Sequence, residues 1–168
     1  AAIQAQWDKT NFELSGDAQL SAFEQLQADS AAYTEANPDD ANGWVWRGII
    51  DSSFAGAKGG PGALGLAKSA RKHFDKAIAM DGTAMQGSAY TSLGTLYYSV
   101  PGWPLGFGDD EKAESFLLQG LQINPDGMDS NYFYAEFLQR QKQTADALNH
   151  YRKALDAPPR PGRAMARA

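Results

Sequence analysis

The sequence predicts an all-α protein made of antiparallel helix hairpins, about seven helices with two extended loops inside hairpins, over a single domain spanning 1–168. Three observations carry this. A small residue followed four positions later by a large apolar one recurs as Ala70 and Phe74, Ala113 and Leu117, and Ala147 and Tyr151, and the last two alanines stand 34 residues apart. That period belongs to a helix-turn-helix repeat. Helix-ending prolines fall at matching places, with Pro38 ten residues before Gly48 and Pro125 ten before Ala135. No strand-like alternation competes.

Taken in order, the expected helices lie near 18–36, 41–55, 63–80, 86–99, 110–123, 129–141 and 143–157. The third and seventh contain the clearest internal copy: KHFDKAIAM (72–80) and NHYRKALDA (149–157) share the order His, aromatic, any residue, Lys, Ala, aliphatic. Asp109 and Asp110 suit the start of the fifth helix, where a capping carboxylate takes up free backbone N–H groups and favours the positive end of the helix dipole. That use explains the acidic pair better than a metal site does, since no His or third carboxylate stands at ligand spacing nearby. Thr144 is the expected cap of the seventh helix.

Packing follows from residue size. Gly48, Gly94 and Ala135 on the first helices, with Ala70, Ala113 and Ala147 on the second, let paired helices approach closely. Trp44, Tyr90, Tyr97, Leu138, Phe74, Leu117 and Tyr151 are expected to fill the remaining space, each worth ~1.5 to 3 kcal/mol on full burial.

YTSLGTLY (90–97) matches W-x-x-L-G-x-x-Y with Tyr in place of Trp, and WVWRGIID (44–51) and NYFYAEFL (131–138) occupy the same register. On these residues the chain resembles the tetratricopeptide repeat family over Ala41 to Pro159. The resemblance implies a right-handed superhelix with three hairpins at 41–80, 86–123 and 129–157, a degenerate half-repeat at 18–36 and a tail at 158–168. It also implies a partner-binding groove lined by the first helices. Val45 and Ile49 would line its first part, then Thr91, Thr95 and Tyr98, then Asp129, Tyr132, Glu136 and Arg140. One subclass of the family grips the C-terminal carboxylate of chaperone peptides with Lys and Asn where this chain has Val45 and Ile49, so that specificity is not expected here.

Both of the first two repeats are longer between helices than the third. Gly94 to Ala113 spans 19 residues and Gly48 to Ala70 spans 22, against 12 from Ala135 to Ala147. Insertions in neighbouring hairpins collect on one face, often the binding one. The two are expected to form a lid, with Trp103 and Phe107 of VPGWPLGFGDD (100–110) as partner contacts or, alternatively, as a roof over the helix ends.

Composition narrows the function. With 20 acidic against 15 basic residues and a net charge of −5, the overall field repels a phosphate backbone, so no nucleic acid partner is expected. No apolar run approaches the ~20 residues of a membrane span. Cysteine is absent, which removes disulfides, thiolate metal sites and a thiol nucleophile. GPGALGLAKS (60–69) lacks the Lys directly after the second Gly that a phosphate-binding loop requires. His73 and His150 share one register of two repeats, which points to a common packing role rather than catalysis, and neither has a Ser or Asp partner at a recognisable motif spacing. Neither an enzyme nor a cofactor is expected.

The opening AAIQAQW resembles what remains after a secretory signal is cut at small residues, which points to an exported, periplasmic protein, with a cytoplasmic one as the alternative. Arg160, Arg163 and Arg167 crowd a proline-broken tail too short to form a solvating last helix. Self-association or a longer natural C-terminus is therefore expected. The leading functional expectation is a scaffold that binds a protein or peptide partner. The alternative is a small organic ligand, because SARKHFDKAIAMDG (69–82) and the glycine-rich hairpin before it resemble the tetratricopeptide component accompanying bacterial tripartite solute transporters.

Overall fold

The computed structural model describes residues 2–159. They form eight α-helices: α1 (Ala2–Phe12), α2 (Gly16–Ala36), α3 (Ala41–Lys58), α4 (Gly60–Asp81), α5 (Ser88–Ser99), α6 (Asp110–Ile123), α7 (Met128–Arg140) and α8 (Thr144–Asp156), with a short 3-10 turn at Ala84–Gly87. The all-α expectation holds, but the count rises from seven to eight. α1 packs on α2 and α3, so the stretch expected as a lone half-repeat has a partner helix. It escaped the sequence reading because its buried residues are Trp7 and Thr10 alone, which leaves no apolar stripe to see. Trp7 ties it down, donating its indole N–H to Ser53 Oγ at 3.0 Å and standing edge-on to Trp46.

Neighbouring helices pair most extensively as α3 with α4, α5 with α6 and α7 with α8. The first helices also touch along the stack, α3 against α5 and α5 against α7. Among the described residues, α4 makes no such contact with α6, nor α6 with α8. One side of the stack is therefore close-set and belongs to the first helices. Asn37 and Asn124 end α2 and α6 with almost the same backbone geometry, φ −133° in both, and each is followed by Pro-Asp. The punctuation visible in the sequence is a repeated local structure.

Inside the hairpins, large residues press onto small ones. Phe74 of α4 is fully buried and lies so close to Gly48 of α3 that a Cβ there would collide with the edge of its ring. Leu117 of α6 does the same to Gly94 of α5, where a Cβ would lie 2.5 Å from Leu117 Cγ. The main core gathers Val45, Phe74, Leu93, Leu96, Tyr97, Leu117 and Phe137. A second cluster of Trp7, Phe23, Leu26, Ile50 and Phe54 closes the N-terminal end, with Phe23 and Phe54 stacked at 5.5 Å.

Two expectations change. The first insertion is helix, not loop: α3 runs to Lys58 and α4 starts at Gly60, with only Gly59, at φ +61°, between them. A glycine tolerates that left-handed turn without Cβ strain. Thr144 is also not a cap, since Gln143 precedes α8 at the N-cap position and no side chain caps it. Asp109 does cap α6, accepting from Lys112 N at 3.0 Å. Residues 160–168, including the three tail arginines, lie outside the described residues.

Gly48→Ala is expected to destabilise by about 1–3 kcal/mol in chemical denaturation, because the buried Phe74 ring has nowhere to go. Gly56→Ala, on the same helix with open space around it, should instead gain about 0.5–1 kcal/mol.

Candidate functional site

The first helices bring most of the expected groove residues together, but only in its second half. Val45 is fully buried in the core and Ile49 is half-buried between the two clusters, so Val45 does not line an open groove. The reason is packing density at the first two hairpins, where α3 supplies both cores. Thr91 is buried, and Thr95 returns its hydroxyl proton to Thr91 O at 3.0 Å.

Tyr98 of α5 and Tyr132, Glu136 and Arg140 of α7 form the open part of this side, with Tyr132 and Arg140 exposed and Tyr98 and Glu136 half-buried. The spacing of the α7 residues, four apart twice, sets them along one helix face. Arg140 lays its guanidinium over the Tyr98 ring at 4.8 Å and donates to Tyr98 O at 3.3 Å. Tyr132 is 43% exposed and stands edge-on to Tyr151 of α8, centroids 5.9 Å apart. The Tyr151 hydroxyl lies 2.7 Å from Gln139 Oε1 and 3.1 Å from Glu136 Oε1, so its single proton is shared between two acceptors. Tyr151 was expected only as core filler.

The three phenols titrate high. Burial pushes Tyr98 up to about 12, with the Glu136 charge adding to it. Burial, then the hydrogen bond and charge of Glu136, push Tyr151 to about 12 and raise Tyr132. All three remain neutral donors at physiological pH. Glu136 and Arg140 carry the charges of the face.

A buried polar centre escaped the sequence reading. Asp51 of α3 accepts from Gln27 Nε2 of α2 and from Ser69 Oγ of α4, both at 2.7 Å, and lies 3.0 Å from His73 Nδ1. Ser, His and Asp meet here, yet Ser69 donates to the carboxylate directly rather than to the imidazole, so the arrangement does not activate a nucleophile. Burial alone would raise the Asp51 carboxyl, but the hydrogen bonds from His73, Gln27 and Ser69 outweigh it and hold the pKa below its ordinary value. His73 and His150 each pack on an aromatic ring of the first helix of their hairpin, Trp44 and Tyr134, but their polar partners differ. His150 Nδ1 lies 2.9 Å from Asn131 Oδ1, and Asn131 spends its amide protons on Pro125 O and Gly127 O. The imidazole must therefore supply the proton of that bond.

At the open end, Tyr134, Leu138, Asp146, His150, Arg152 and Lys153 line a cleft of about 550 Å³. Among the described residues no three His, Asp or Glu side chains gather as a metal ion would need, and no helix is long and apolar enough to cross a membrane.

The loop between α5 and α6 divides the two aromatics. Phe107 packs against the core, edge-on to Tyr97 at 5.3 Å and under the Arg71 guanidinium at 4.2 Å. Trp103 is 90% exposed and Leu105 75%. The backbone beneath them is fixed: Gly108 N donates to Pro101 O at 2.9 Å, Asp109 N to Tyr97 O at 2.9 Å and Leu105 N to Gly102 O at 3.1 Å. Gly108 sits so tightly on Val100 O that no other residue fits. The loop borders α4 through Leu64 and Arg71, so the two insertions are neighbours, one helical and one not.

No family model matches the chain, and no curated protein is significantly similar to it.

Two measurements check these assignments. Trp103→Ala should shift unfolding free energy by less than ~0.5 kcal/mol, as an exposed substitution does, whereas Phe107→Ala should cost at least ~2 kcal/mol. Asp51→Asn should cost about 1–3 kcal/mol at pH 7, since it disturbs a buried, fully used acceptor. Because the folded pKa of Asp51 is depressed, its contribution is complete above the unfolded value near 4 and is lost as pH falls through the lower folded value. The gap between wild type and Asp51→Asn should therefore narrow below about pH 4 in urea titrations.

Proposed function

We propose that this chain is a non-enzymatic binding module of the tetratricopeptide kind, its hairpins wound in a right-handed superhelix, which holds a peptide segment of a protein partner on the side formed by α3, α5 and α7. Contact between successive first helices, without contact between the later second helices, supports the superhelical arrangement. The observation that carries the binding reading is the face of Tyr98, Tyr132, Glu136 and Arg140, where two charged side chains and an exposed ring stand together above a fixed scaffold. Interfaces are enriched in Tyr and Arg at their energetic centres. The exposed Trp103 and Leu105 supply a second contact area at the edge of the stack.

A second reading, a small organic ligand, draws on the 550 Å³ cleft beside His150, a volume within the range of small-molecule sites. Photo-crosslinking separates the two. A crosslinkable residue at Tyr132 should capture a peptide segment of a partner from extract of the source cells, and the same residue at Ser115, exposed on α6, should not. Equal capture at both positions would remove the groove reading. A small molecule co-purifying in native mass spectrometry, with no capture at Tyr132, would establish the second.

A further inference from the structure

The tips of the first two complete hairpins lie together, one apolar and one basic. From Val100 to Gly108 the loop between α5 and α6 carries no charged side chain, and its one side-chain donor is the Trp103 indole N–H. Its backbone largely satisfies itself. Leu105 N and Gly106 N both donate to Gly102 O, Gly108 N donates to Pro101 O, and Pro101 and Pro104 have no N–H to satisfy. Trp103 and Leu105 project from this frame into solvent. Beside it, Lys58, Lys68, Arg71 and Lys72 stand between Asp51 and Asp75 with no carboxylate among them, in a chain of net charge −5. Contacts place these cations at the loop. Leu64 lies against Gly106 and the Arg71 guanidinium covers Phe107. Lys68, four residues beyond Leu64 and three before Arg71, shares their face of α4. Lys58 lies over the first turn of α4 at Gly62. Both lysines are exposed, and among the described residues neither has a carboxylate within 4.0 Å. Of the three carboxylates that follow the loop, Asp109 caps α6 through Lys112 N and Asp110 accepts from Gln141 Nε2, which leaves Glu111 against the basic residues.

We propose that the two tips together seat on the surface of an anionic lipid membrane, with Trp103 and Leu105 entering the boundary between headgroups and acyl chains and Lys58 and Lys68 over the headgroups. Each feature of the tips selects this occupant. An indole suits the membrane–water interface, its ring in apolar surroundings and its N–H toward polar headgroups. Leaving water is costly for backbone N–H groups without partners, and Leu105, Gly106 and Gly108 bring theirs with them. A protein partner is met through about one hydrogen bond per 100–200 Å² of interface, which a loop with one side-chain donor does not supply. Cations beside an apolar tip match an anionic surface, whereas negative charge elsewhere on the chain is screened beyond about 8 Å at physiological ionic strength. The proposal stands apart from the peptide reading of the α7 face, and either can fail alone.

The full chain is mixed with sucrose-loaded vesicles of phosphatidylcholine, or of equal parts phosphatidylcholine and phosphatidylglycerol, and the bound fraction is sedimented. A second set carries brominated acyl chains, which quench tryptophan fluorescence on contact. The chain should sediment with the mixed vesicles at least about fivefold better than with the neutral ones, the effect of one basic residue at an anionic surface, and bromine should quench its emission. Trp103→Ala, at an exposed site where the fold is kept, should weaken sedimentation about tenfold and remove the quenching. Lys58→Gln should weaken binding to the mixed vesicles about fivefold and leave neutral binding unchanged. Leu118→Ala, exposed midway along α6, should change neither. Failure to sediment with the mixed vesicles overturns the proposal, as do equal binding to both kinds of vesicle and unaltered binding or quenching in Trp103→Ala.

Discussion

The structure depends on how close two helices of one hairpin can come. At Gly48 and Gly94 the missing side chain is replaced by Phe74 and Leu117 from the partner helix, both fully buried. Interiors of this density transmit any change in one contact to its neighbours. Because the first helix yields space to the second, its remaining faces are free to meet the next first helix, and α3, α5 and α7 line up. Ala135 holds the equivalent place in α7 and is also fully buried. The close approach at Gly48 and Gly94, with a small residue again at Ala135, sets the spacing on which the Tyr98, Tyr132, Glu136 and Arg140 face is mounted.

Polar chemistry pins what packing alone leaves free to slide. Asp51 gathers donors from α2 and α4 onto α3, so three helices share one buried carboxylate. A buried charge without such partners costs several kcal/mol, and a satisfied one fixes register instead. At the other end, Asn131 bonds the turn before α7 through Pro125 and Gly127 and receives His150 from α8. The two histidines thus stand at one repeat position and join different locks. Each lock ties a first helix to a second helix, Asp51 of α3 to α4 and Asn131 of α7 to α8.

What the sequence revealed was what repeats. Ala70, Ala113 and Ala147 mark the second helices through a period that one chain displays to itself, and two of the residues four places on, Phe74 and Leu117, find glycine partners. Features that occur once were hidden. α1 is anchored chiefly by a single tryptophan, and the Asp51 centre joins residues 24 and 18 positions apart with no periodic trace. The candidate face was half legible: the groove implied by the repeat resemblance named Tyr98, Tyr132, Glu136 and Arg140, but repeat position cannot tell that Val45 turns wholly into a core or that Tyr151 reaches Glu136 from α8. Glycine misled in the first insertion, since Gly56, Gly60 and Gly62 read as loop yet lie in helices whose mutual packing outweighs a propensity cost of about 1 kcal/mol each.

The loop between α5 and α6 shows why fixed backbone and exposed side chain belong together. Leaving an indole and a leucine in water forgoes ~1.5–3 kcal/mol of burial apiece, and nothing in the packing of the hairpin requires either. Phe107, four residues on, already covers the core with Tyr97 and Arg71. The hydrogen bonds at Gly102, Pro101 and Tyr97 then hold the tip in one shape, so that an apolar partner meeting Trp103 and Leu105 has no loop to order first. On the α7 face, too, side chains are held by their neighbours, Arg140 over the Tyr98 ring and Glu136 by the Tyr151 hydroxyl. In both places the fold uses its own contacts to hold surface chemistry unspent, and such groups gain most by meeting a partner.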